Sequence, residues 1–325
     1  MNTETLRHAI SPEWLPWIAG LFGVVLGAAT LEGLVRQFVL HQPYDWRAYA
    51  VSLADAVGRR AIDAIGLSAA TPVLLWAYAH RLTDLPLNNW AQWLMLFLSH
   101  ELLYYAYHRS AHRVRWFWAT HAVHHSPNDL TLATALRLGW TGKLAGIAIF
   151  FVPLVWVGFS PIAVFATLAV NLLYQFWLHT TWVPKLGPLE WVFNTPSHHR
   201  VHHASNPEYL DCNYGGVLIV FDRLFGSFVE ERDDITPRYG LTTPLRSYNP
   251  LWIAVHEWVR MAQDVIAARS WNDLQRALFA PPAVRSQAER ATHQATPEEP
   301  ALPGHWVAPP GGRSKATGGP ILPQR

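Results

Sequence analysis

Long apolar runs alternate with short polar segments through the first half of the chain. Five runs are candidates for helices within a membrane, and they cover roughly 17–40, 61–79, 90–107, 144–159 and 161–178. A helix needs about 20 mostly apolar residues to cross the hydrocarbon core of a bilayer. The last two runs meet at Gly158-Phe159-Ser160-Pro161, which is typical of a tight turn. The pattern predicts an all-α, integral-membrane helical bundle with four to five spans, in which the last two runs form a hairpin.

The remaining chain divides by its pattern into three further parts. Segment 250–279 has apolar residues at helical spacing with polar residues between them. It predicts an amphipathic helix that lies on the membrane surface or covers a cytosolic domain. Segment 281–325 holds nine prolines and five glycines and is predicted to be disordered. We therefore distinguish N-terminal membrane spans at 1–89, a histidine-bearing domain at 90–245, an amphipathic helical segment at 246–280 and a tail at 281–325.

The distribution of Lys and Arg predicts an orientation. Basic residues are frequent in 41–60 and 108–143, and Lys185 follows the last run, whereas the connections at 81–89 and 158–161 hold only Arg81. Cytosolic connections carry the excess of basic residues in membrane proteins. The histidine-rich stretches are thus predicted to lie on the cytosolic side and the N-terminus opposite. The run at 17–40 is predicted to be a retained span, because the N-terminus does not have the pattern of a secretory signal.

Composition supports a membrane protein and excludes other classes. Only 15% of the residues are charged, against about 25% in a typical soluble domain. The net charge of +2 gives no reason to expect a nucleic-acid partner. The single cysteine, Cys212, cannot form an internal disulfide, and a small buried thiol is its expected role.

Histidines are concentrated in two short regions. Ten of the 17 lie within 108–125 and 179–203, and the pattern His-x-x-His-His occurs twice. Side chains three and four residues apart share one helix face. Neutral imidazole is a good ligand for iron, zinc and copper, and this supply exceeds the need of one ion. We predict that the predicted hairpin brings these stretches together around two metal ions about 3.5–4 Å apart. A pH sensor is the alternative use of clustered histidines, but it does not need the repeated spacing.

The stretches around these histidines resemble the fatty acid hydroxylase/sterol desaturase superfamily of membrane di-iron enzymes. The resemblance is carried by Tyr-Tyr-Ala-Tyr-His-Arg-Ser-Ala-His at 104–112, Trp-Ala-Thr-His-Ala-Val-His-His-Ser at 118–126, Gln-Phe-Trp-Leu-His-Thr at 175–180, Asn-Thr-Pro-Ser-His-His-Arg-Val-His-His at 194–203, and 209–226. It covers about 90–245 and is closest to the alkylglycerol monooxygenase-like branch and its bacterial relatives. One position departs from that branch, in which a glutamate follows the second histidine of the first cluster, because Arg113 stands there.

The resemblance implies a catalytic domain at 90–245 with two non-haem iron ions and O2 as co-substrate. The implied metal ligands are His108, His112, His121, His124, His125, His179, His199, His202 and His203. His198, Asn213 and Asp222 are further candidates, either as ligands or as groups that orient the imidazoles. For Asn213 and Asp222, turn and capping chemistry is an equally good interpretation.

The implied reaction is hydroxylation of an unactivated C–H bond in a membrane lipid or sterol-type substrate. Desaturation at the same site is the alternative, because ligand spacing does not separate the two outcomes. A metal transporter or sensor fits less well, since transporters place ligands near the bilayer midplane and only His100 lies within a predicted span. Electrons are expected from a separate reductase, cytochrome or pterin-type donor, because one cysteine cannot hold an iron–sulfur cluster.

Overall fold

The structure, a computed structural model, describes residues 15–64 and 68–282. These residues are largely helical, as predicted, and two isolated antiparallel bridges, Phe193 with Leu218 and Ala204 with Tyr239, take the place of strands within them. The α-helices are α1 Leu15–Leu34, α2 Trp46–Ala64, α3 Thr71–Ala79, α4 Trp90–Arg113, α5 Arg115–His121, α6 Val152–Val157, α7 Pro161–Phe176, α8 Pro196–His203, α9 Val220–Phe225, α10 Pro250–Ala267 and α11 Trp271–Phe279. The disorder predicted for the tail falls almost entirely outside the described residues.

One helix of the described part is long and apolar enough to cross a membrane, and it covers Pro16–Val39. It consists of α1 and a final π-helical turn at Val35–Val39. Two further apolar helices, Ile147–Val157 and Pro161–Phe176, are shorter than a full crossing requires. They are joined at Gly158, where the predicted turn has a backbone φ of 139°.

The predicted second span, 61–79, is not one helix. Helix α2 ends at Ala64, and α3 begins at Thr71 with Pro72 in its first turn. Proline is favoured in the first turn of a helix but breaks one further along, because it lacks the N–H that the previous turn would bind. Nine residues of α3 extend only about 13 Å, less than half the thickness of the hydrocarbon core.

Helix α4 connects the apolar core to the histidine-bearing domain. Its N-terminus is capped by Asn89, whose side chain accepts a hydrogen bond from the Gln92 amide at 3.1 Å. Its first half exposes Trp90 and Trp93, whereas its second half buries the face that carries His108. Residues of α3, α4, α6 and α7 form the largest apolar core. The helix thus leads from an exposed apolar surface to the buried histidines.

The predicted amphipathic segment, 250–279, is two helices rather than one. Helix α10 ends at Ala267, and Ser270 caps α11 by accepting a hydrogen bond from the Asp273 amide at 3.1 Å. Buried Arg115 at the start of α5 holds both helices, because it donates to the Ala277 carbonyl at 3.2 Å and pairs with Asp264 at 2.6 Å. The two helices therefore cover α5, which carries His121.

Candidate metal centre

Nine histidines from four separated stretches of chain converge in two adjacent groups. In each group, the nitrogen atoms that could bind an ion all lie within 4.8 Å of one another. The first group is His108, His112, His121, His125 and His202, and the second is His124, His179, His199 and His203. These are the nine residues that the resemblance implies as ligands. The rings of His125 and His203 join the two groups, with centroids 4.3 Å apart.

Local structure explains why these side chains meet. His108 and His112 lie one turn apart at the end of α4, and α5 ends at His121. The chain then turns through 122–125, which splits His124 and His125 between the two groups. Helix α8 is a short helix, Pro196–His203, in which every residue is buried. His179 follows the end of α7, so the apolar hairpin of α6 and α7 returns the chain to the site.

Backbone carbonyls fix the orientation of four of the imidazoles. Nδ1 of His108 donates to the Tyr214 carbonyl at 2.9 Å, and Nδ1 of His202 donates to the Cys212 carbonyl at 2.9 Å. In the second group, Nδ1 of His124 donates to the Arg137 carbonyl at 3.0 Å and Nδ1 of His179 donates to the Gln175 carbonyl at 2.8 Å. The backbone thus orients two imidazoles in each group. A neutral imidazole whose Nδ1 carries the proton presents a lone pair at Nε2.

The resulting arrangement of lone pairs fits a bound cation. Nε2 of His124 lies 3.2 Å from Nε2 of His179. Because both rings carry their proton on Nδ1, neither Nε2 has a hydrogen to donate to the other. Two lone pairs that face each other in a buried site need a positive charge between them. A first-row ion about 2.0–2.1 Å from two ligands at a right angle places their nitrogens roughly 3 Å apart.

The electrostatics of the site keep its histidines neutral. Burial, followed by repulsion from neighbouring histidines, holds the pKa of His121, His125, His199 and His203 well below its usual range. Burial also lowers the pKa of His124 to about 4 and that of His202 to about 3. Neutral imidazole is the form that binds a metal, so the folded chain presents ligands that need not lose a proton at neutral pH.

His198 lies outside both groups. Its ring packs edge-on to Phe228 with centroids 5.2 Å apart, and its Nε2 is 3.8 Å from Oε2 of Glu190. Burial lowers its pKa to about 4. The carboxylate of Glu190 is held by Thr195 and Ser197, whose hydroxyls donate to it at 3.0 and 2.6 Å. His198 thus lies in the first turn of α8, with its side chain against Phe228 and Glu190 rather than in either group.

Asn213 and Asp222 hold the loop that supports the first group. The fully buried carboxylate of Asp222 accepts hydrogen bonds from the amides of Tyr214 and Gly215 at 2.8 and 2.7 Å. Asn213, with a φ of 55°, donates to the carbonyls of His198 and Val229 at 3.1 and 2.8 Å. Their hydrogen bonds go to backbone and hydroxyl groups, and they affect the imidazoles through the Cys212 and Tyr214 carbonyls.

We expect Asp222→Ala to destabilise the fold and loosen the first group. The substitution leaves the Tyr214 and Gly215 amides and the Ser227 hydroxyl, which donates at 2.7 Å, without their buried acceptor. Buried unsatisfied donors cost about 1–3 kcal/mol each, so a loss of about 3 kcal/mol or more is expected. Denaturant unfolding measures it, and Asp234→Ala, which removes an exposed partner of Arg232, is the matched control. An unchanged midpoint for Asp222→Ala would contradict this role.

Two residues that the sequence did not single out as parts of the site support it. Glu101 is buried on α4, and its carboxylate accepts hydrogen bonds from the Val217 and Leu218 amides at 2.8 and 2.9 Å. Arg137 is also buried, and its carbonyl holds His124. A charged residue inside an apolar run is a signal that points to Glu101, since such residues are costly unless they have a role. No comparable signal marks Arg137, because its partners come from a distant helix.

Comparison with known proteins agrees with this geometry. The family model described as fatty acid hydroxylase matches residues 93–227, which include all nine histidines. Alkylglycerol monooxygenase of Xenopus tropicalis is 39% identical over 255 residues, or 78% of this chain and 56% of that protein. The human alkylglycerol monooxygenase is 41% identical over 184 residues, or 54% of this chain and 39% of that protein. Ornithine lipid hydroxylase of Rhizobium tropici is 34% identical over 125 residues, or 38% of each chain.

The matches cover only part of each relative. The chain spans about half or less of the length of these curated relatives. No solved structure is significantly similar to it. The resemblance noted from the sequence is confirmed by the family match and by the relatives at 39–41% identity. Residues 93–227 therefore match the fatty acid hydroxylase family, and the rest of the chain lies outside that match.

Proposed function

We propose that the chain is an O2-dependent di-iron oxygenase that hydroxylates an unactivated C–H bond of a membrane lipid. The observation that carries the proposal is the pair of Nε2 lone pairs of His124 and His179, which face each other at 3.2 Å inside a group of nine histidines. We assign one ion to each group. Bound iron would supply the activation of dioxygen, a reaction that protein side chains do not perform alone.

The chain's own residues would prepare the site for this chemistry. Backbone carbonyls hold four imidazoles in the tautomer that presents Nε2, so little reorganisation is needed for binding. Eight of the nine histidines are buried, and His121 is half-buried. The rings of Trp118 and Tyr214 pack on His112 with centroids 5.3 Å away in each case. This packing would keep bulk water away from the imidazoles that are to hold the metal.

A lipid substrate follows from the relatives and from the surface of α4. The names of the relatives indicate two different lipids, an alkylglycerol and an ornithine lipid. Trp90, at 77% exposure, and Trp93 lie on the apolar half of α4, and the buried His108 lies on the other half of the same helix. A hydrocarbon chain in the bilayer could therefore approach the histidines along α4. We propose no particular head group.

We propose a multi-pass arrangement with both histidine groups on the cytosolic side. The basic residues that flank the site, including Arg109 and Arg113 beside His108 and His112, support this orientation. The hairpin of α6 and α7 would enter the membrane and return. We further propose that electrons come from a separate reductase, cytochrome or pterin-type donor. The single cysteine is buried Cys212, so the chain cannot bind an iron–sulfur cluster through cysteines.

Isotope labelling tests the reaction class. Cells that express the chain are grown under ¹⁸O2, and their lipids are analysed by mass spectrometry against cells with His124→Ala. We expect a lipid that carries one ¹⁸O atom only with the unchanged chain. Loss of two hydrogens without label would indicate desaturation instead. An unchanged lipid profile, from a chain that purifies with iron and is supplied with reductant, would contradict lipid oxidation.

A further inference from the structure

Arg137 is a buried arginine whose guanidinium attaches the loop 137–139 to helix α2. Its side chain donates to the Ala48 carbonyl at 2.9 Å, to Oγ of Ser52 at 3.3 Å and to Oγ of Ser126 at 3.0 Å. It is 3% exposed. Burial lowers its pKa to about 10, so the guanidinium remains charged at neutral pH. Removing one partner of such a buried charge is strongly destabilising, so the guanidinium holds the backbone that carries it in one position.

Helix α2 presents a polar face that matches this loop. Ala48, Ser52 and Asp55 are spaced by four and three residues, so they lie on one side of the helix. Oδ2 of Asp55 accepts hydrogen bonds from the amides of Leu138 and Gly139 at 3.0 and 3.2 Å. The loop is thus fixed to α2 by the cation of Arg137 on one side and by the carboxylate of Asp55 on the other.

The loop has little freedom to adjust at this point. Gly139 has a φ of 72°, a conformation that favours glycine. A Cβ atom there would lie 2.5 Å from the Thr120 carbonyl oxygen, and Thr120 precedes His121. The segment 137–139 is therefore held between α2 and α5. A shift of its backbone would move the Arg137 carbonyl, which binds His124.

Arg137, whose side chain binds α2, also supports His124 through its backbone. The Arg137 carbonyl accepts the Nδ1 proton of His124 at 3.0 Å, which directs Nε2 of His124 towards His179. We propose that Arg137 is a positioning residue for the second histidine group: its guanidinium, held by α2, keeps its own carbonyl in place, and that carbonyl sets the orientation of His124. Helix α2 lies outside the residues that match the family model, so it would be an outer part of the metal centre contributed by the N-terminal region.

The proposal rests on the proposed function, because it concerns how a metal is held. Its test uses full-length protein in detergent or nanodiscs, loaded with iron, and measures how fast a ferrous chelator captures the iron. Loss of a group that supports a ligand typically lowers metal affinity about 10–100-fold. We expect at least about tenfold faster release of part of the iron from Arg137→Met, and a smaller acceleration from Ser52→Ala, which keeps two of the three hydrogen bonds.

A matched control separates positioning from general destabilisation. Arg115→Met also removes a buried arginine, but its partners are Ala277 and Asp264 on the C-terminal helices. Arg115 acts on α5 only through those helices, so its loss should accelerate iron release less than the loss of Arg137 does. The visible spectrum of the cobalt(II)-loaded protein adds a second readout, because ligand geometry determines it. It should change for Arg137→Met and not for Arg115→Met.

Each result bears on the proposal. Wild-type release rates and an unchanged cobalt spectrum for Arg137→Met, or equal acceleration by Arg115→Met, would overturn the positioning role. If Arg137→Met does not fold, Ser52→Ala decides alone, and a release rate equal to that of the unchanged chain would overturn it. If the unchanged chain itself binds no iron, the proposed function fails rather than this inference alone.

Discussion

Replacing His125 by alanine is expected to abolish lipid oxidation and to remove iron from the purified chain. His125 lies in the first group, with its ring centroid 4.7 Å from that of His112 and 4.8 Å from that of His202. It also stacks on His203 of the second group at 4.3 Å. Its loss would affect both groups. We expect activity to fall by more than the about 10–100-fold that loss of an outer hydrogen bond costs.

His198→Ala is the matched control for this substitution. His198 is as buried as His125, carries the same side chain and lies in the same histidine-rich domain. It belongs to neither group, and its neighbours are Phe228 and Glu190. We expect the variant to keep its iron, measured by elemental analysis, and most of its activity. Equal loss of iron in both variants, or retention of iron by His125→Ala, would contradict the proposed ligand set.

The positions of the nine histidines were largely predictable because their spacing is a local property. Intervals of three and four residues place His199, His202 and His203 on one face of a helix, whatever the rest of the chain does. The apolar hairpin between 144 and 178 then explains how His179 returns to the others. What spacing does not give is the division into five and four. His124 and His125 are adjacent in sequence, but the turn at 122–125 sends them to different groups.

The helix boundaries and the outer supports were less predictable, and the reasons are physical. An apolar run does not show where a helix breaks, so 61–79 is predicted as one span although a new helix begins within it at Thr71. The carbonyls that hold the imidazoles carry no signal in the side-chain sequence, since every residue has one. The Arg137 interaction with α2 joins residues 85 and more positions apart, and single-sequence patterns do not report contacts at that distance.

The Asn-Tyr-Gly-Gly run at 213–216 was recognisable as a motif, but its use is visible only in three dimensions. A Cβ atom at Gly216 would lie 2.2 Å from Nδ2 of Asn171.

Acidification is expected to destabilise the fold and to release the metal between about pH 6.5 and pH 4. The pKa values of the site histidines are lower in the folded state than the 6.5 of a free histidine. At pH 7 both the folded and the unfolded chain are therefore neutral at these positions. As the pH falls through 6.5, the unfolded chain takes up protons and the folded chain does not, so unfolding becomes more favourable. The loss continues until the pH passes the folded pKa.

The size of this effect follows from the individual shifts. For His124, whose pKa is lowered from 6.5 to about 4 by burial, the stability lost by the time the pH is below both values is about 3 kcal/mol. His179 and His203 act in the same direction. Asp222 acts in the opposite direction, because burial raises its pKa to about 6 and its folded form gains protons first on acidification. One carboxylate against several histidines leaves a net loss of stability. The same protons compete with the metal for the imidazoles, which adds to the effect.

Two measurements on the same samples check this expectation. Denaturant unfolding of the metal-free chain between pH 7.5 and pH 4.5 should show a midpoint that falls steadily below pH 6.5. Equilibrium dialysis of the iron-loaded chain over the same range should show iron lost in the same interval. The variant His124→Gln, which cannot take up a proton at that position, should show a shallower dependence of unfolding on pH. A stability that is flat from pH 7 to pH 5 would mean that the histidines are not held neutral by burial, and the opposed lone pairs of His124 and His179 would then be an ordinary hydrogen bond that shares one proton.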